Sequence, residues 1–238
     1  MLKEAMEWIK ENTAKVEILN VYGQEYSNRG LHIITEPVRR ELNVTTLTGL
    51  VDYIKSQFDG NEKYIITVLS ESHVIIESKL NLNKRRECII TSNAQIPNVT
   101  LNEFIDLEKF NIQLQSVFVP NEERATVLSL IGNIKTENVS NTGDDGISQM
   151  VEVKRGVTTV KKEEVPNPVY LKPFRTFTEI SQPESAFVLR IKESPSYGLQ
   201  AALFEADGGA WKNEAILNIK EYLEEELKVH KERITILA

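Results

Sequence analysis

Cysteine is almost missing from this chain of 238 residues: only Cys88 is present, inside the apolar run Cys88-Ile89-Ile90. No internal disulfide framework can form, and a reducing compartment is the natural setting. Histidine is scarce too. His32, His73 and His230 are far apart, none at the short spacing of zinc ligands, so no metal is expected. Long apolar runs are absent, with nothing near the ~18 residues a membrane helix needs. Met1 to Thr13 carries charges throughout and has no signal-peptide pattern. These absences lead to the expectation of a soluble, cytoplasmic protein without membrane attachment. No Gly-rich nucleotide loop and no nucleophile elbow occur. Gly208-Gly209 ahead of a predicted helix is physically half of a phosphate cradle, because free amides and the helix dipole attract anions. The Lys-Ser or Lys-Thr of a P-loop does not follow it, and no cofactor is expected.

What is present is enough apolar material, 41% of residues, for a core, and a formal charge of -7. That acidic balance argues against coating nucleic acid through the overall field. The clearest element is an amphipathic helix starting near Gly209 or Ala210. Trp211, Ala215, Ile216, Ile219, Tyr222, Leu223 and Leu227 form its apolar face. Asp207 is placed to accept hydrogen bonds from free amides at its start. Upstream, Ala186 to Ile191 and Leu199 to Phe204 are strand-length apolar runs around a loop at Glu193 to Gly198. The spacing predicts a hairpin feeding a helix that lies across its sheet.

Earlier in the chain, Leu2, Met6, Ile9 and Trp8 mark a short helix ending near Asn12, too short to be stable alone. Val16 to Val21 and Leu31 to Thr35 read as strands around a polar loop, and Thr46 to Phe58 as a helix stopped by Asp59-Gly60. Tyr64 to Leu69, Val74 to Leu80 and Cys88 to Thr91 read as a meander. Its last connection carries Lys84, Arg85 and Arg86, a solvated loop or a phosphate-binding tip. Leu101 to Phe110 and Glu122 to Ile134 have helical patterns. Gly143 to Gly146 is a turn, Met150 to Val157 a strand, and Thr158 to Glu164 a polar, charged stretch before the stiff Val165-Pro166-Asn167-Pro168. The fold class is α+β, with antiparallel sheets, several packed helices and the C-terminal amphipathic helix across a hairpin. Residues 1-40 form an N-terminal segment suited to oligomerisation. Residues 41-238 form one body, with a sub-boundary near 138.

Two constellations bear on chemistry. Glu205 and Asp207, two apart at a strand end, suit acid–base work or metal binding; equally, Asp207 caps the helix and Glu205 pairs with Arg175 or Arg190. Tyr170, Lys172, Phe174, Arg175 and Phe177 interleave rings with cations, as single-strand nucleic-acid platforms do; an edge strand with snorkelling cations has the same pattern.

Phe174-Arg175-Thr176-Phe177, Glu179, Gln182-Pro183-Glu184-Ser185, Phe187 and Leu203 through Trp211 resemble the YfdQ-like family of bacteriophage and prophage proteins. The likeness extends through Thr46 to Tyr53, Leu101 to Phe110, Asp145-Gly146 and Val153 to Gly156. It implies a viral protein in a bacterial cytoplasm, with no reaction assigned. The expectation is a non-enzymatic, self-associating binding protein that sequesters a nucleotide-like host defence signal. Candidate ligand residues are Lys154, Arg155, Arg175, Glu205, Asp207, Gly208, Gly209 and Trp211; Trp8 and Trp211, aromatic anchors prone to exposure, point to self-association. Alternatives are single-strand nucleic-acid binding in phage DNA metabolism and a hydrolase built on Glu205 and Asp207.

Overall fold

The computed structural model describes residues 2–13, 15–22, 24–27, 39–60, 62–81, 84–134, 149–155 and 159–238. The chain divides into two units, Met1–Val38 and Arg39–Ala238. The first contains helix α1 (Leu2–Thr13) and an antiparallel hairpin of β1 (Ile18–Val21) and β2 (Gln24–Ser27). The polar stretch expected to be a loop therefore supplies β2. The register closes at Val21↔Gln24, with Tyr22 at φ 53, the left-handed geometry that a two-residue hairpin connection favours. The expected strand Leu31 to Thr35 and the turn Gly143 to Gly146 lie outside the described residues.

In the second unit, alternating apolar residues build the expected meander of β4 (Tyr64–Ser70), β5 (His73–Ser78) and β6 (Cys88–Asn93). Ile76 pairs with Ile90 while Glu77 pairs with Cys88. That step leaves Ile89 as an extra residue in β6, so Ile89 and Ile90 are both buried despite adjacent positions. Two short strands flank the meander, β3 (Leu42–Val44) beside β6 and β13 (Ile234–Leu237) beside β4. Both are parallel to their neighbours, so this sheet is mixed, a feature three or four residues are too short to announce. Helix α2 (Leu47–Ser56) packs against β6. The Thr46 hydroxyl accepts from the Gly49 amide at 3.1 Å to start it, and Gln57 at φ 52 ends it.

The second sheet is antiparallel, in the order β10 (Val169–Leu171), β11 (Ser185–Ser194), β12 (Gly198–Glu205), β7 (Ile105–Asp106). Helices α3 (Leu107–Val117) and α4 (Glu122–Asn133) share its core, which includes Phe110, Leu114, Phe118, Val127, Phe187 and Leu189. The helix expected over Leu101 to Phe110 thus begins at Leu107 and runs on to Val117. Asp106 sets that start, its carboxylate accepting from the Lys109 amide at 2.9 Å. The charged stretch before Pro166 is a strand, β9 (Thr159–Glu164), antiparallel to β8 (Met150–Arg155); Glu152 pairs with Lys162, an opposite-charge cross-strand position.

The decisive difference concerns helix α5 (Ala210–Glu226). It begins where the sequence indicates and leaves the end of the β11–β12 hairpin, but lies over β4 and β13 of the other sheet. Ile219, Leu223 and Leu227 join the core formed by Leu50, Ile54, Ile66, Val74 and Ile76. The α+β class holds, but the helix lies across β4 and β13 of the other sheet and not across the hairpin that feeds it. The chain between β10 and β11, and the turn from β12 into α5, therefore connect two separate apolar cores.

Candidate functional site

Residues 173–185 join these cores through successive hydrogen bonds. Pro173 bridges to Phe118, and the Phe174 amide donates to the Val117 carbonyl at 2.9 Å, holding the segment to the end of α3. The Thr176 hydroxyl donates to the Glu71 carbonyl in the β4–β5 connection. Phe177 enters the mixed-sheet core at 1% exposure. The Glu179 carboxylate accepts from the Thr48 amide at 3.0 Å and its hydroxyl at 3.2 Å, placing negative charge at the N-terminus of α2. Gln182 fixes the bend. Its carbonyl oxygen accepts from the Arg175 and Thr176 amides at 2.9 and 3.2 Å, and its amide donates to the Phe177 carbonyl at 3.0 Å.

Arg175 sits at the centre, 5% exposed. Its Nη1 donates to Glu205 Oε1 at 3.2 Å and its Nη2 to the Ser185 hydroxyl, while its Cζ lies 3.8 Å from the Trp211 ring centroid. Ser185, 2% exposed, donates in turn to Asp207. The other Asp207 oxygen accepts from the Gly209 amide at 3.0 Å. Gly208 at φ 64 and Gly209 at φ 82 supply the left-handed backbone that turns the chain from β12 into α5. Glu205 is held from behind, its amide donating to Asn102 Oδ1 at 3.1 Å. One guanidinium and one hydroxyl thus tie the start of β11, the end of β12 and the start of α5 together.

Electrostatics support this arrangement. Burial pulls the Arg175 guanidinium down to about 10, against the upward pull of Glu205 and Asp207, and it stays cationic at neutral pH. Burial pushes the Asp207 carboxyl up. The Ser185 hydroxyl, the Gly209 amide and the Arg175 charge outweigh it and hold the carboxyl below its ordinary value. Asp207 thus contributes stability that is present above the carboxylate's unfolded pKa and is lost as pH falls through its lower folded value. In thermal melts from neutral pH to about pH 3, the deficit of Asp207→Asn relative to wild type should narrow as the solution is acidified. A deficit independent of pH would show that Asp207 does not act through its charge.

Of the residues singled out in the sequence, the fold brings Arg175, Glu205, Asp207, Gly208, Gly209 and Trp211 together. Lys154 and Arg155 fall in β8, and their side chains lie outside the described residues. Trp211 is no exposed anchor: it is 8% exposed, covered by Arg175. The interleaved rings and cations of residues 170–177 do not form an open platform, because Arg175 and Phe177 are buried and Lys172 pairs with Glu184 at 3.7 Å. Asp207 already supplies an anion at the start of α5. An incoming phosphate would compete with it and Glu205 for one guanidinium. Ser185 and Gln182 were not singled out as site residues, because nothing local distinguishes a buried Ser that meets an acid 22 positions away. Among the described residues, no group of three or more His, Cys, Asp and Glu is placed to hold a metal ion, and no helix is long and apolar enough to cross a membrane.

The chain matches no family model, no curated protein and no solved structure.

Proposed function

We propose that this is a non-enzymatic, self-associating binding protein in which α1 joins copies of the chain and the body carries the ligand. The observation behind the reading is the face of α1. Leu2, Met6, Trp8 and Ile9 are each more than half exposed. At ~100° per residue they share, with Ala5, an arc of about 160°. Among the residues whose side chains are described, the remaining surface of the helix carries Lys3, Glu4, Glu7 and Lys10. Two acids against two lysines leave no net positive charge, which suits a protein partner better than an anionic membrane surface. The unit Met1–Val38 has no cysteine, and a segment below about 40 residues rarely supports itself without oligomerisation or a staple. A second copy of α1 is the occupant proposed for this face.

The non-enzymatic part of the reading draws on the engagement of Glu205, Asp207 and Ser185 with Arg175, which gives each a structural partner. The resemblance to YfdQ-like proteins supports the viral setting. Capture of a nucleotide-like host defence signal is the proposed ligand role within that setting. Multi-angle light scattering of the full chain at tens of micromolar should give at least twice the 27.1 kDa chain mass. The double variant Met6→Glu/Ile9→Lys should return to one chain mass while its thermal melt, lower than that of the assembly, stays cooperative. A wild-type chain of single mass would remove self-association, and an unchanged variant would move it away from α1.

A further inference from the structure

At the end of the mixed sheet where β3 and β6 begin, a surface groove of about 450 Å³ is lined by Arg39, Arg40, Leu42, Phe58, Asp59 and Ile89. Its residues differ sharply in how they are engaged. Arg39 spans three acids, Asp59 at 3.7 Å, Glu62 at 3.5 Å and Glu87 at 3.6 Å, so its charge is spoken for. Asp59 also accepts from the Tyr53 hydroxyl at 2.7 Å. Arg40, adjacent to it, is exposed and has no ion-pair partner among the described residues. Phe58 follows the left-handed Gln57 that ends α2; the turn puts its ring outside the core, 87% exposed.

The same sheet end carries the basic connection from β5 to β6. Asn81 accepts from the Lys84 amide at its carbonyl at 2.9 Å and from the Arg85 amide at its side chain at 2.9 Å. Lys84 at φ 56 and Arg85 are exposed, and neither side chain has an ion-pair partner among the described residues. Two positions on, Glu87 meets Arg39 at the groove wall. In a chain of net charge -7, Arg40 thus lines the same groove as the exposed Phe58 ring, with no ion-pair partner among the described residues.

An exposed ring stacks on the flat face of a nucleobase, and a guanidinium takes phosphate oxygens in a two-pronged contact. The volume is also in the range of small-molecule sites. We infer that this groove binds a nucleoside phosphate, its base on Phe58 and its phosphate on Arg40, with Lys84 and Arg85 extending the cationic rim. The inference rests on the binding-protein reading and gives it a ligand class and a place away from the Arg175 tie. A free nucleotide and the end of a single strand present the same chemistry.

The two sources are separated by titrating the full chain with ADP by calorimetry and with a fluorescein-labelled short oligo(dT) by anisotropy, both at about 50 mM salt, where phosphate contacts are strongest. Saturable binding in either arm is expected, weakened about tenfold or more by Phe58→Ala and by Arg40→Ala. Both side chains are exposed, so circular dichroism melts of the variants should overlay the wild type. Binding of ADP alone assigns a free nucleotide, and binding of oligo(dT) alone, falling steeply with salt, assigns a strand. No binding in either arm, or binding that both variants leave intact, overturns the inference. Light scattering on the same samples keeps the readings apart: a chain of single mass that binds ADP removes self-association only, and an assembly that binds neither probe removes this site only.

Discussion

Arg175→Met should lower the thermal unfolding midpoint by about 4–12 °C, from a loss of about 2–3 kcal/mol at ~2–4 °C per kcal/mol. Methionine keeps an apolar stem of similar reach beneath Trp211, so packing changes little. What disappears is the cation. Asp207 and Glu205 would keep their charges, and Ser185, 2% exposed, would lose the donor on its oxygen. Arg175 is itself the buried member, with Glu205 exposed and Asp207 half-buried, so its removal chiefly leaves the buried Ser185 oxygen without a donor and the Asp207 carboxylate without its cation. Arg175→Lys should recover only part of the loss, since a single ammonium cannot reproduce the forked contacts to Glu205 and Ser185. Arg175→Met combined with Asp207→Asn should be more stable than Arg175→Met alone, because it removes a stranded charge. A fall of under about 3 °C in the single variant would show that both acids relax into water and that the tie contributes little.

Phe177→Ala should cost about 3–5 kcal/mol, the range for emptying a buried aromatic site. Phe177 is 1% exposed, and it is the ring through which residues 173–185 enter the mixed-sheet core. Phe174, half-buried and outside the two core clusters, is the internal comparison, and Phe174→Ala should cost clearly less. Hydrogen exchange adds a direction. Amides of α2 and α5, which share the Phe177 core, should exchange faster in Phe177→Ala than those of α3 and α4, which pack in the other. Equal acceleration throughout would show that the two cores open as one cooperative unit. Equal costs for the two Phe variants would contradict the assignment of Phe177 as the connecting plug.

The exposed face of α1 and the cluster around Glu205 and Asp207 were readable for the same reason: each is a local spacing of like residues. So were the start of α5 after Asp207-Gly208-Gly209, the helix α2 within Thr46 to Phe58 and the three-stranded meander. Capping and the periods of strand and helix act within a few residues, and so the amino-acid order alone determines them. Strands of three or four residues such as β3 and β13 were not readable, because their place comes from an open edge beside β6 and β4. Nor was the destination of α5. Its apolar stripe specifies that it must be covered, while the uncovered face of the mixed sheet specifies where. Only the tertiary structure selected Arg175 as the cation for Glu205, 30 positions away, and Glu71 as the partner of Thr176, 105 positions away. Such pairings are set by how two sheets share one helix and one connecting segment, and no local pattern encodes that geometry.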